Sequence, residues 1–157
     1  MILRQNSRRR GPVRPLAIDA HPRGPRGALA TEPLDGRSVL DHHLDLVEAL
    51  SAGANDPITI HAPVGDHATL RPLLDRRSAA RFKLSTTAAP ARPTGVLRVD
   101  RLYQHGRLRR LHHRRADFER AAIWRLDTAH GLAGASDELV RRRTYQPLGH
   151  YWALAPA

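Results

Sequence analysis

The chain has 157 residues, of which 26 are basic and 15 acidic, for a formal charge of +11; 41% are apolar and 26% charged. That length fits one domain able to bury a continuous core, and the apolar share is too high for a fully disordered chain. There is no cysteine, which excludes disulfides, thiolate zinc sites and a cysteine nucleophile. No run approaches the roughly 18 apolar residues that a membrane-spanning helix requires. Ser7-Arg8-Arg9-Arg10 has a twin-arginine flavour, but Gly11-Pro12 follows where a hydrophobic region would stand, so a cytoplasmic location is expected.

In chain order, residues 1–15 read as a flexible basic arm of Arg, Gly and Pro. Val13 to Ile18 is the first candidate strand. From Asp19 to Asp35, three prolines and two glycines rule out a regular helix and predict a long loop. Ser38 then caps a helix over 38–51, with Asp41 in the capping-box position and Val39, Leu40, Leu44, Val47 and Leu50 at helical spacing. Gly53 suits its end, and Pro57 to Ala62 forms a β-branched strand.

A shorter helix opens at Gly65-Asp66 and carries Leu70, Leu73 and Leu74, with Pro72 either in its first turn or kinking it. Ala80 to Leu84 alternates like a strand with one face in water, whereas Gly95 to Val99 is more apolar and is expected to be central. A strongly basic helix follows near 104–115. Ala121 to Leu126 is the last strand, and a final helix starting at Thr128 or Ser136 runs to Arg143. Alternating strands and helices predict an α/β domain, a three-layer Rossmann-like and mostly parallel sheet over 16–143, followed by a tail over 144–157.

In such sheets ligands bind at the carboxyl ends of the strands, which makes Asp19, Asp100 and Asp127 the first candidates for chemistry. A carboxylate there can hold a Mg²⁺ that bridges nucleotide phosphates. The competing reading is that an aspartate after a strand caps the next turn. Arg23-Gly24-Pro25-Arg26-Gly27 is a basic glycine-containing loop that could offer guanidinium forks and N–H groups to a phosphate. The adjacent pairs His42-His43 and His112-His113 point about 100° apart on a helix and are read as surface histidines. Asp41 and Asp45 share a face but lack a histidine at matching spacing. No serine has nucleophile-elbow glycines.

Two stretches resemble sugar-phosphate nucleotidyltransferases. Pro33 to Leu46, with its Pro-Leu-Asp-Gly-Arg-Ser-Val-Leu opening, is similar to the segment leading into that family's first long helix, and Gly95 to Tyr103 is similar to the strand whose terminal aspartate binds the catalytic metal. Glu138 to Gly149 resembles the junction at which a nucleotidyltransferase-like domain meets a membrane CDP-alcohol phosphatidyltransferase in bacterial fusions.

The resemblance implies a truncated nucleotidyltransferase-like domain that moves a cytidylyl group from CTP to a phosphorylated polyol for phospholipid head-group synthesis. It implies Asp100 as the catalytic, metal-binding residue, Asp127 as a second metal ligand, Mg²⁺ as cofactor, and Arg23, Gly24, Arg26 and Gly27 as phosphate contacts. The family's paired glycines, Gly-Thr-Arg and Pro-Lys are replaced here by His21 to Gly27, whose prolines remove N–H donors, so weak nucleotide binding or lost catalysis is expected. Arg141-Arg142-Arg143 followed by Tyr145, Tyr151 and Trp152 suits the vicinity of a membrane. The competing function is a non-enzymatic basic module that binds nucleic acid or an anionic membrane through Arg107, Arg109, Arg110, Arg114 and Arg115.

Overall fold

In the computed structural model, residues 15–51, 56–77, 81–90 and 95–144 are described, the side chains of 142–144 excepted. Four strands, β1 (Leu16–Asp19), β6 (Ile58–His61), β7 (Phe82–Ser85) and β8 (Gly95–Arg98), form one sheet in the order β7-β6-β1-β8 with every neighbouring pair parallel. Between β1 and β6 come two short hairpins, β2 (Arg23–Gly24) with β3 (Gly27–Ala28) and β4 (Pro33–Leu34) with β5 (Arg37–Ser38). Helix α1 (Val39–Leu50) then leads to β6, and α2 (His67–Asp75) joins β6 to β7. After β8 come β9 (Arg101–Tyr103), α3 (His105–His113), β10 (Ala122–Arg125) and α4 (Ala129–Thr144).

This is a Rossmann-like α/β arrangement, as the alternation of elements predicts. Parallel neighbours need crossovers, and α1 and α2 supply them between β1, β6 and β7. The strand β1 is buried along nearly its whole length, with Ile18 at 0% exposure. Leu40 and Leu44 from α1, Leu70 from α2, Leu97 from β8 and Leu108 from α3 complete the core around it.

The sheet corrects two expectations. The apolar run Gly95–Val99 is not central: among the described residues β8 lies at an edge and pairs only with β1. Its apolar character reflects cover rather than centrality, because the 3-10 turn Phe118–Ala121 packs against it, with Phe118 and Ala121 buried. The last strand does not extend the parallel sheet. β10 runs antiparallel to β9 in a separate two-stranded ladder with an irregular register between Ala122 and Trp124.

Local signals hold more closely. Ser38 caps α1: its hydroxyl oxygen accepts from the Asp41 amide at 3.1 Å and its O–H donates to the Asp41 carboxylate at 2.8 Å. Thr128, of the two candidates, starts α4, since its hydroxyl oxygen accepts from the Gly131 amide at 3.0 Å. Pro72 lies inside α2. The loop 19–35 is non-helical apart from one 3-10 turn, Leu29–Thr31, yet far from loose: Leu29 and Leu34 are buried at 0% and 1% exposure. Asp35 and Gly36 turn the β4–β5 hairpin with φ of 52° and 78°, the left-handed pair that tight two-residue hairpins need. The basic arm through Arg14, Gly53 and the tail from Tyr145 onward lie outside the described residues.

Candidate functional site

The strand order runs from β1 outward through β6 to β7, then returns to the opposite side of β1 for β8. The point of reversal is the gap between the carboxyl ends of β1 and β8, the place where open α/β sheets form a crevice for ligands. Register puts His61, Asp19 and Arg98 side by side there, one from each of β6, β1 and β8. The Asp19 carbonyl accepts from the Val99 amide at 3.0 Å, which carries the pairing one step past the strand ends. The Asp19 carboxylate accepts from the His21 amide at 3.0 Å and lies 3.2 Å from the His21 ring.

Asp100 sits in the turn between β8 and β9 and is 4% exposed. Both of its oxygens are occupied. Arg98 donates from Nε to one at 2.9 Å and from Nη2 to the other at 2.7 Å, in a fork geometry that matches a carboxylate. Arg101 places Nη1 3.2 Å from the second oxygen and donates from Nε to Glu119 at 2.8 Å. The Asp100 carboxylate raises the Arg98 pKa further above its ordinary value, mainly through that hydrogen bond. Asp127 is brought beside this turn, because the Leu126 amide donates to the Asp100 carbonyl at 2.9 Å. Its carboxylate accepts from Arg125 at 2.8 Å, which holds its pKa below the usual carboxylate value.

This donor set does not fit a divalent cation. A Mg²⁺ needs several oxygens free to approach to about 2.1 Å, whereas Asp100 is a buried anion already neutralised by two guanidinium groups, and Asp127 has one oxygen on Arg125 and only Oδ1 without a partner. Among the described residues, no group of three or more acidic or histidine side chains is placed to hold a metal ion. The geometry gives Asp100 the work of an anchor that aims Arg98. The outer part of that guanidinium faces solvent, since the Arg98 side chain is 47% exposed against 6% for Asp100.

The expected phosphate loop is a small hairpin. Gly24 pairs with Gly27 across Pro25-Arg26, and Gly27 takes a φ of 123° that other residues rarely adopt. A Cβ on Gly24 would come 3.0 Å from the Leu29 side chain. Arg23 is tied to Asp66 at 3.1 Å and Arg26 to Glu32 at 2.9 Å. Both arginines stay solvent-accessible at one edge, and Arg26 also compensates the buried Glu32 carboxylate.

The reading of His42-His43 as surface histidines is corrected for His43, which is fully buried. Its Nδ1 lies 2.8 Å from the Val39 carbonyl, and its Nε2 lies 3.0 and 2.7 Å from the carbonyls of Arg98 and Arg101, the residues flanking the Val99-Asp100 turn. Burial lowers its pKa, against the opposing pull of those carbonyls. Sequence reasoning missed His43 because a lone i, i+4 apolar stripe, Val39-His43-Val47, carries no chemical label. Asp41 and Asp45 meet Arg77 and, for Asp45, Arg37, so this pair braces α1 against the end of α2. No protein-family model matches the chain, and no curated protein matches it significantly.

Proposed function

We propose that this chain is a nucleotidyltransferase-like domain that takes a nucleoside triphosphate at the carboxyl ends of β1 and β8, with CTP and a phosphorylated polyol as the substrate pair its sequence resemblance favours. The observation that supports the reading is the reversal of strand order at Asp19 and Arg98, with a basic hairpin inserted directly after β1. In cytidylyl transfer, a phosphate oxygen of the polyol attacks the α-phosphorus in line, the bond to the β-phosphate breaks, and pyrophosphate leaves with the electron pair. Catalysis of such a step is mostly positioning and stabilisation of charge. The outward part of Arg98, together with Arg23 and Arg26 on the hairpin, is the cationic equipment available for it. No step is assigned to a metal, because the Asp100 oxygens are taken.

Two features support weak binding. Pro22 and Pro25 remove amide donors from the hairpin, and the arginines must share their N–H groups with Asp66, Glu32 and Asp100. Calorimetry with CTP, ATP and GTP, each with Mg²⁺ and with EDTA, tests the reading. The expected outcome is binding in the high-micromolar to millimolar range that Arg98→Ala reduces at least fivefold. No binding of any triphosphate at millimolar concentration overturns it, and pyrophosphate release from CTP and a polyol phosphate tests the transfer step itself.

A further inference from the structure

Seven arginines, Arg23, Arg26, Arg37, Arg77, Arg98, Arg101 and Arg125, each lie within ion-pair distance of an Asp or Glu. The arginines of helix α3 and its end are a separate group. Arg107, Arg109, Arg110 and Arg114 are all exposed, and none has an acidic partner among the described residues. The acids that follow α3 in the chain are engaged elsewhere, Asp117 with the Glu119 amide and Glu119 with Arg101.

Helix stability does not account for this face. Cations in the last turn complement the helix dipole, which covers Arg110 and the histidines beside it. Arg107 lies in the first turn, where the same dipole disfavours it, and that turn has no acidic residue. The inward side of α3 is spent on the core, with Gly106 and Leu108 buried. Arg107, Arg110 and Arg114 follow one another at i, i+3 and i+7 along the outer face, a stripe about 10 Å long at 1.5 Å per residue.

We infer that the outer face of α3 is a docking surface for the phosphodiester backbone of a nucleic-acid duplex. A row of guanidinium groups about 10 Å long spans roughly three phosphates of one strand at 3.4 Å per step, and arginine makes paired hydrogen bonds to phosphate oxygens. A lipid surface fits less well. The exposed positions of α3 are arginine and histidine throughout, so no apolar side chain, tyrosine or tryptophan is offered to the acyl region. Single strands fit less well too, since stacking platforms use several exposed rings and α3 offers only that of His113. The contacts are to backbone, so recognition is independent of sequence.

This inference does not depend on nucleotide binding at the sheet. It is tested by fluorescence anisotropy with labelled 20-base-pair DNA and RNA duplexes, using the full chain, a triple variant Arg107→Gln, Arg110→Gln, Arg114→Gln, and a control Arg71→Gln, Arg76→Gln that removes two exposed arginines from α2 and its end. Three phosphate contacts give a slope of about −2.7 in log K against log salt, or roughly a 40-fold loss between 50 and 200 mM salt. The triple variant, left with none of these contacts, should show a slope near zero over that range, with its far-UV circular dichroism unchanged; the control should match the wild type. Stronger binding to DNA or to RNA identifies which duplex is the partner. An unchanged salt slope in the triple variant, or an equal fall in the control, overturns the inference and assigns binding to net charge alone. Binding to vesicles containing phosphatidylserine with none to either duplex overturns it as well.

Discussion

The imidazole of His43 and the carbonyl of Arg101 lie 2.7 Å apart across the interior of the protein, joining helix α1 to the corner on which Asp100 is carried. The same ring nitrogen lies 3.0 Å from the Arg98 carbonyl, and the ring stands edge-on to Tyr103 with centroids 6.0 Å apart. Tyr103 in turn accepts a hydrogen bond from the Arg98 amide at 2.9 Å. The corner is therefore held from behind by two buried polar side chains. Replacing His43 by Ala leaves a cavity and unpaired carbonyls, and is expected to cost about 2–4 kcal/mol of stability. Urea unfolding measures it, and a loss under about 0.5 kcal/mol would show that water replaces the ring without penalty.

The same residue gives stability a pH dependence of defined sign. Burial lowers the folded-state pKa of His43 below the unfolded value of 6.5. The unfolded chain then binds the proton more readily, so the contribution is fully present above about pH 6.5 and is lost as pH falls towards the folded pKa. One group changes stability by at most about 1.4 kcal/mol per pH unit. Burial also lowers the pKa of His105 and adds in the same direction. Urea midpoints at pH 7.5 and pH 5.5 should fall with acidity in the wild type and fall less in His43→Gln. Equal slopes in the two proteins would remove His43 as a source.

Asp100 is held by two arginines of different exposure, 47% for Arg98 and 16% for Arg101. Each single substitution to Ala leaves the carboxylate one partner, whereas the double substitution leaves a buried anion with none. Breaking such pairing completely costs on the order of 3–5 kcal/mol. Arg98→Ala and Arg101→Ala are therefore expected to be non-additive, the double variant losing at least about 1 kcal/mol more than the two singles together. An additive double-mutant cycle by urea unfolding would show that Asp100 is not held in this way.

Much of this architecture is legible in the sequence because it rests on local signals. Ser38 with Asp41, the apolar stripe of α1 and the β-branched run Ile58-Thr59-Ile60 identify their elements without tertiary information. The position of β8 was not legible, because apolar composition reports that a strand is covered and not what covers it, and here a 3-10 turn from residues 118–121 does so. The role of Asp100 depends on the side-chain direction of Arg98, two positions earlier, which alternation along the strand leaves open. His43 was hidden for the converse reason: a buried polar group is recognised by its partners, and two of the three are carbonyls more than fifty residues away.

Two glycines of α4 rank in a definite order. A Cβ on Gly131 would stand 1.8 Å from the Arg125 carbonyl oxygen and 2.9 Å from its carbon, a backbone obstacle that no side-chain rotation relieves. Gly131 also donates its amide to the Thr128 hydroxyl oxygen at 3.0 Å, so moving the helix away from β10 would break the cap that starts it. A Cβ on Gly134 would instead meet the Trp124 ring at 2.7 and 2.8 Å, and that ring is only partly buried and can swing outward. Alanine gains about 1 kcal/mol of helix propensity at either position. The gain is expected to be overwhelmed at Gly131, where Gly131→Ala should destabilise by about 2–4 kcal/mol, and largely to offset the contact at Gly134, where the net loss should stay below about 1.5 kcal/mol. Gly134→Ala should also change the tryptophan emission as Trp124 is displaced. Thermal and urea unfolding of the two variants decide the order, and a Gly134 variant less stable than the Gly131 variant would mean that α4 does not approach the Arg125 carbonyl this closely in solution.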